Sequence, residues 1–141
     1  MKRMSTKALS VLTAIILLIN LFVLVSCKTE PVVIKDSDTC IVIKGTSDFE
    51  NKSLLTYMES LKVEGKLEFT ITDGMITSIN GIDNPADFSS CWMLYTSDAD
   101  NANSAWGTVM YDGVEYGSAI VGATDLIIKP DCLYIWAYIA F

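Results

Sequence analysis

The hydrophobic pattern of this chain changes period several times, and each change marks a different kind of element. From Ala8 to Val25 nearly every side chain is apolar, interrupted mainly by Ser10, Thr13 and Asn20. Residues 28–38 are polar apart from the patch Pro31-Val32-Val33-Ile34 and read as a tether that need not be ordered. The short β-branched run Cys40-Ile41-Val42-Ile43 predicts a strand. Leu54, Tyr57, Met58 and Leu61 then recur at i, i+3, i+4 and i+7, one face of a helix, with Ser53 placed to cap it and Gly65 to end it. From Leu67 the period falls to two. Leu67-Glu68-Phe69-Thr70-Ile71-Thr72 alternates, Asp73-Gly74 follows, and Met75-Ile76-Thr77-Ser78-Ile79 continues. Asp-Gly between alternating runs predicts a hairpin, because the tight turn that suits strand twist favours those residues.

The rest of the chain is strand-rich. Asn80-Gly81 marks a turn and residues 82–90 a loop containing Pro85, followed by the strand Cys91-Trp92-Met93-Leu94-Tyr95-Thr96. Residues 97–105 form a polar excursion leading to Trp106. A second hairpin is predicted over residues 108–111 and 114–116 around Asp112-Gly113. Residues 117–125 are small and irregular, suggesting a helical turn. Leu126-Ile127-Ile128 and the run from Cys132 to Ile139 close the chain with a further strand or pair. No internal repeat or second domain is visible. The order of strand, helix and several strands predicts an α+β domain, a mixed or antiparallel sheet packed by one main helix.

The apolar run is preceded by a basic start, Lys2, Arg3 and Lys7, and is closed by Leu24-Val25-Ser26-Cys27. Basic, apolar and small-residue segments in that order make a secretory leader. The final four residues resemble a bacterial lipobox. The resemblance implies diacylglyceryl transfer to Cys27, cleavage before it, and an anchored protein on the outer face of the cell membrane. A signal anchor is the alternative, since about 18 apolar residues just reach across a bilayer. The organisation expected is therefore a signal peptide over residues 1–26, a lipidated tether over 27–39, and one domain over 40–141.

Charge narrows the partners. All 17 acidic residues follow Cys27, against seven lysines and no arginine. Nucleic acid is excluded as a partner, because phosphate binding needs clustered basic side chains. An acidic body gains nothing from an anionic membrane surface, so membrane attachment is expected through the N-terminal lipid only. After Cys27, three cysteines remain: Cys40, Cys91 and Cys132. They allow three single bridges, or none if all are buried thiols, and no CxxC spacing suggests a redox or zinc site.

Catalytic chemistry is poorly served. The chain has no histidine, which removes the commonest general base and the triads built on it. No carboxylate pair sits in a recognisable frame, and the protein is read as a non-enzyme. Asp98-Ala99-Asp100-Asn101-Ala102-Asn103 spaces oxygen ligands in a way that suits calcium. It lacks the EF-hand frame, with Ala102 at the fifth position, Asn103 at the sixth and Val109 at the twelfth, and is read as a solvated loop with no metal. The aromatics carry more. Trp92 and Leu94 share one strand face, Met93 and Tyr95 the other, and Tyr134, Trp136 and Tyr138 share a face of the last strand. One set must form the core; the other is expected to present an amphipathic platform. Trp106, in a polar loop, is the expected exposed contact, and Tyr95 and Tyr116 are counted among the ligand-binding candidates.

From Leu54 onward the chain resembles the transcobalamin-like C-terminal domain of bacterial surface lipoproteins. The resemblance rests on four blocks in order: Leu54-Leu55-Thr56-Tyr57-Met58, Gly74-Met75-Ile76-Thr77-Ser78-Ile79-Asn80-Gly81, Cys91-Trp92-Met93-Leu94-Tyr95, and Gly122-Ala123-Thr124-Asp125-Leu126 leading into Tyr134-Ile135-Trp136-Ala137-Tyr138. It implies a β-grasp-like sheet crossed by one helix. In the cobalamin carriers of animals this domain is the smaller half of a clamp on the corrin. Trp92 and Leu94 fall on the strand that faces the corrinoid there, and Gly122-Ala123 on the small-residue turn beside it. The larger helical half has no counterpart here, and residues 101–117 read as an insertion that brings Trp106, Tyr111 and Tyr116.

Two functions follow as expectations. One is capture of a small flat or amphipathic ligand, a cobalamin-like corrinoid by resemblance, on a surface shared by Trp92 and Trp106, with no cofactor required. The other is a cell-envelope protein–protein or adhesion module using the same aromatic surface. The leader itself is testable: in a bacterial host, labelled palmitate is expected to enter the wild-type product and to be absent from Cys27→Ser, whose leader stays uncut.

Overall fold

The computed structural model describes residues 32–141; the leader, Cys27 and the start of the tether lie outside them. In chain order the elements are β1 (Val33–Ser37), β2 (Cys40–Lys44), a 3-10 turn (Ser47–Phe49), α1 (Leu54–Val63), β3 (Phe69–Thr72), β4 (Met75–Ile79), β5 (Ile82–Asp83), β6 (Ser90–Thr96), β7 (Ala102–Tyr111), β8 (Val114–Ala119) and β9 (Leu133–Ala140). Among the described residues the fold is α+β: one α-helix against mostly antiparallel strands. The larger sheet has the order β1-β2-β9-β6-β8-β7, and every neighbouring pair is antiparallel. A smaller sheet has the order β3-β4-β5.

Two runs explain the larger sheet. Ile41-Val42-Ile43 and Tyr134-Ile135-Trp136-Ala137 are buried at every position, without alternation. Such strands are covered on both faces, so they belong inside the sheet. They are β2 and β9, in register with Ile41 opposite Trp136 and Ile43 opposite Tyr134. On the first face, Ile41, Ile43, Trp92, Leu94, Tyr134 and Trp136 share one core with Leu54, Tyr57, Met58 and Leu61 of α1 and with Phe69, Ile76 and Ile79 of the small sheet. Full burial of each such aliphatic side chain contributes roughly 1.5–3 kcal/mol. The second face carries Val42, Tyr95, Ile135 and Ala137, packed by Val109, Tyr111 and Tyr116 of the β7–β8 hairpin.

Local signals set the smaller features. The Ser53 Oγ accepts a hydrogen bond from the Thr56 amide at 3.2 Å, capping α1. Asp73-Gly74, Asn80-Gly81 and Asp112-Gly113 each place both residues at positive φ, the conformation that two-residue hairpin turns require.

Four expectations are corrected. Residues 33–37, read as tether, form β1, because Val33 and Ile34 have a free edge of β2 to pair with. Residues 82–90 are not all loop, since Ile82 pairs with Ile79 in β5. The excursion at 97–105 becomes strand from Ala102. In β7, Asn103 lies opposite Ser118 but Thr108 opposite Gly117, so residues 104–107 bulge outward. A Cβ on Gly117 would sit 3.0 Å from the Ser104 amide nitrogen, so a side chain there would crowd the bulge. Lastly, β8 runs on to Ala119. The helical turn follows it, with the Asp125 and Leu126 amides both donating to the Gly122 carbonyl.

The oxygen-rich loop after β6 holds an internal cation. Lys129 Nζ lies 2.7 Å from Asp98 Oδ1 and 2.7 Å from Asp100 Oδ2. Asp98, 4% exposed, also accepts from Asn101 Nδ2 at 2.7 Å and from the Asp100 amide at 3.2 Å. Burial works to raise the Asp98 pKa, but these donors outweigh it and hold the carboxyl below its ordinary value. A depressed folded-state pKa contributes stability above the unfolded value of about 3.9 and loses it as pH falls through the folded value. Asp98→Asn is therefore expected to cost about 1–3 kcal/mol at pH 7, with a shallower loss of stability below pH ~4 than the wild type; urea unfolding across pH checks both.

Candidate functional site: a cleft where two strands part

Strands β6 and β8 pair only at Tyr95–Ser118 and Thr96–Gly117. Beyond those pairs they diverge, because the chain after Ala119 leaves the sheet to reach α1. The Leu55 amide donates to the Ala123 carbonyl at 2.8 Å, and the Leu54 amide to the Leu126 carbonyl at 2.7 Å. These contacts satisfy first-turn donors of the helix and fix the departing segment in place. The gap between the strands opens onto the aromatic layer of the first face as a cleft of about 370 Å³. Trp92, Leu94 and Trp136 line it from the sheet, Ala119, Val121 and Ala123 from the departing segment, and Met75, Ile76 and Phe88 from the other side.

Asn84 holds the open side of β6. Its Nδ2 donates to the Ile76 carbonyl at 3.2 Å and its Oδ1 accepts from the Trp92 amide at 2.9 Å. The Trp92 ring is fixed as well. Its Nε1 donates to the Ile82 carbonyl at 2.8 Å, and the ring meets Tyr138 edge-on at 5.4 Å. Phe88 stands at the rim, 55% exposed, with a backbone φ of 53°. A bulky side chain in the left-handed region carries strain of order 1–3 kcal/mol, a feature that clusters at ligand sites.

The lining contains no charged side chain. Cys91 contributes to it, but burial pushes its thiol up, away from the reactive thiolate. Burial likewise raises the Cys40 thiol, with Asp36 adding to the effect, and Cys40, Cys91 and Cys132 are all unpaired. Among the described residues no group of three His, Cys, Asp or Glu side chains is arranged to hold a metal ion. The arrangement is suited to holding an apolar or amphipathic body.

Of the residues singled out from sequence, Trp92, Leu94, Gly122 and Ala123 meet at the cleft. Tyr95 and Tyr116 do not, since strand alternation puts Tyr95 on the second face and Tyr116 packs there with it. Trp106 lies on the β7 bulge, 62% exposed and outside the cleft lining, so the expected surface shared by Trp92 and Trp106 is not formed. Met75 and Phe88 line the cleft but were not named as contacts, and Trp136 was marked only as sharing a face with Tyr134 and Tyr138. For Trp136 the signal was its parity on the last strand; for Phe88 the sequence held none. Comparison with family models, curated proteins and solved structures gave no match.

Phe88→Gly separates ligand contact from stability. Glycine relieves the positive-φ strain, so the melting temperature is expected to hold or rise by a few degrees. Any ligand bound in the cleft should be held more weakly, as calorimetric titration would show.

Proposed function

We propose that this protein is a non-catalytic, lipid-anchored binding module on the outer face of a bacterial membrane, holding a small flat or amphipathic ligand in the cleft between β6 and the chain after β8. In this reading the domain is a β-grasp-like, transcobalamin-type unit, and a corrinoid is the first candidate ligand. One observation carries the proposal. Trp92, Leu94, Gly122 and Ala123, far apart in sequence and marked by the family resemblance, line a single uncharged cleft. Its volume is at the lower end of the range for small-molecule sites, about 300–1,000 Å³. A macrocycle would be gripped by one face or edge, with Phe88 and Met75 closing over it from the rim.

A second reading has its own support. Trp106, Met110 and Val114 are each more than half exposed on the β7–β8 hairpin at the edge of the larger sheet. Exposed aromatic and apolar side chains at a sheet edge suit a protein partner of the cell envelope.

The two readings separate in one titration. Cobalamin added to the full chain in detergent is expected to quench tryptophan emission in the micromolar range. Phe88→Ala should weaken binding about tenfold through lost apolar contact, and Trp106→Ala should leave it unchanged. Absence of binding at high micromolar corrinoid would count against the corrinoid, and loss of binding in Trp106→Ala alone would move the site to the hairpin.

A further inference from the structure

We propose that two copies of this chain pair through the outer edge of β7, strand against strand about a two-fold axis at Val109. The proposal is independent of the cleft and gives the exposed β7–β8 hairpin a definite occupant. The larger sheet has two free edges, β1 and β7. β1 is guarded: its five residues include Lys35 and Asp36, and its register is interrupted between Lys35 and Ser37. Charges and bulges are what keep sheet edges from pairing. β7 carries no charged side chain in ten residues, in a chain with 17 acidic and 10 basic ones. On it, Trp106 and Met110 are 62% and 61% exposed. A long, uncharged edge with apolar side chains in water is a pairing surface left open.

The register fixes which groups the edge offers. Asp112-Gly113 is a two-residue turn, so Tyr111 and Val114 form the hydrogen-bonded pair that closes it. Alternation then directs the main chain of Tyr111 and Val109 toward β8, and that of Thr108 and Met110 outward. Among the described residues no other strand, turn or loop takes up these outward groups. The bulge at residues 104–107 confines the regular edge to residues 108–111. An antiparallel two-fold at Val109 sets Thr108 of one copy opposite Met110 of the other, twice, each pair exchanging both N–H···O bonds. Such an isologous contact needs only an edge that complements itself. Charge permits it although the chain is acidic. Glu115, opposite Met110 on β8, accepts from Thr108 Oγ1 at 2.7 Å. Its counterpart in the second copy lies three strand spacings across, about 14 Å, beyond the screening length of about 8 Å at physiological salt. Asp112 and its counterpart stand about 20 Å apart along the ladder. An uncharged edge offers a basic peptide nothing to recognise, whereas its own copy matches it in length, polarity and register.

Light scattering on the full chain in excess detergent micelles is expected to show a monomer passing to a dimer in the micromolar range, as suits a small edge contact. Met110→Lys, at an exposed position, sets a charge on the edge and should weaken the dimer about tenfold. Met110→Pro removes an outward N–H that the chain itself does not use and should do the same; should it fail to fold, Met110→Lys carries the comparison. Val109→Cys places two sulfurs across the axis, at a non-hydrogen-bonded pair with Cα atoms about 4.5 Å apart, within reach of a disulfide. Mild oxidation should link that variant into covalent dimers and leave the wild type and Lys35→Cys, on the guarded edge, unlinked. A chain that stays monomeric at high micromolar concentration would overturn the self-pairing, leaving the edge to a different protein and the cleft reading untouched. A dimer that resists both Met110 variants, with Val109→Cys unlinked, would overturn β7 as its seat.

Discussion

The last strand of the chain occupies the middle of the larger sheet, and most of the structure depends on that insertion. β9 pairs with β2 along one side and with β6 along the other, so the two halves of the sheet meet only through it. Its side chains serve both faces. Tyr134 and Trp136 enter the core beneath α1, while Ile135 and Ala137 support the face beneath the β7–β8 hairpin. Tyr134 also organises the loop before it, since its hydroxyl accepts from the Lys129 amide at 2.8 Å. Because these contacts are remote in sequence, the sheet cannot close until the carboxyl end of the chain is in place, a demand that slows folding.

The cleft follows from how β6 is flanked. With β9 on one side, β6 needs a neighbour on the other, and β8 supplies one for only two residue pairs. An unpaired strand edge is both a loss of hydrogen bonds and an invitation to aggregation. Asn84 meets part of that need with its side-chain amide, bonding the Trp92 N–H and the Ile76 carbonyl together. The small sheet is thereby fastened to the large one, and the space between the parted strands stays open. The same divergence carries the chain from β8 to the amino end of α1, so the wall of the cleft and the helix cap are one structural device.

The acidic surface is handled away from this site. Lys129 gathers Asp98 and Asp100 beside the end of β6, which turns an oxygen-rich loop into a neutralised corner. A loop whose spacing suits calcium is thus occupied by an ammonium group from 29 and 31 residues further along the chain. The cleft itself is lined without charge, mainly by aromatic and aliphatic side chains.

Much of what near neighbours govern was legible in the sequence, although the pairing of Ile82 with Ile79 was not. The Ser53 cap, the amphipathic face of α1 and the three tight turns depend on residues a few positions apart, and each formed where the residue types require it. The common parity of Trp92 with Leu94, and of Tyr134 with Trp136, followed from strand geometry alone. What tertiary structure decided was pairing across long separations: that β1 adds to β2, that β9 lies between β2 and β6, and that Leu94 faces Trp136. Alternation tells which side chains share a face, but not which face a helix or hairpin will cover. Tyr95 and Tyr116 went under the hairpin, and Trp106 was carried outward on a bulge that only the register of β7 against Gly117 creates. That Trp136 Nε1, among the described residues, is left without an acceptor belongs to the same category, because whether a buried N–H finds an acceptor depends on the groups that packing brings within about 3 Å of it.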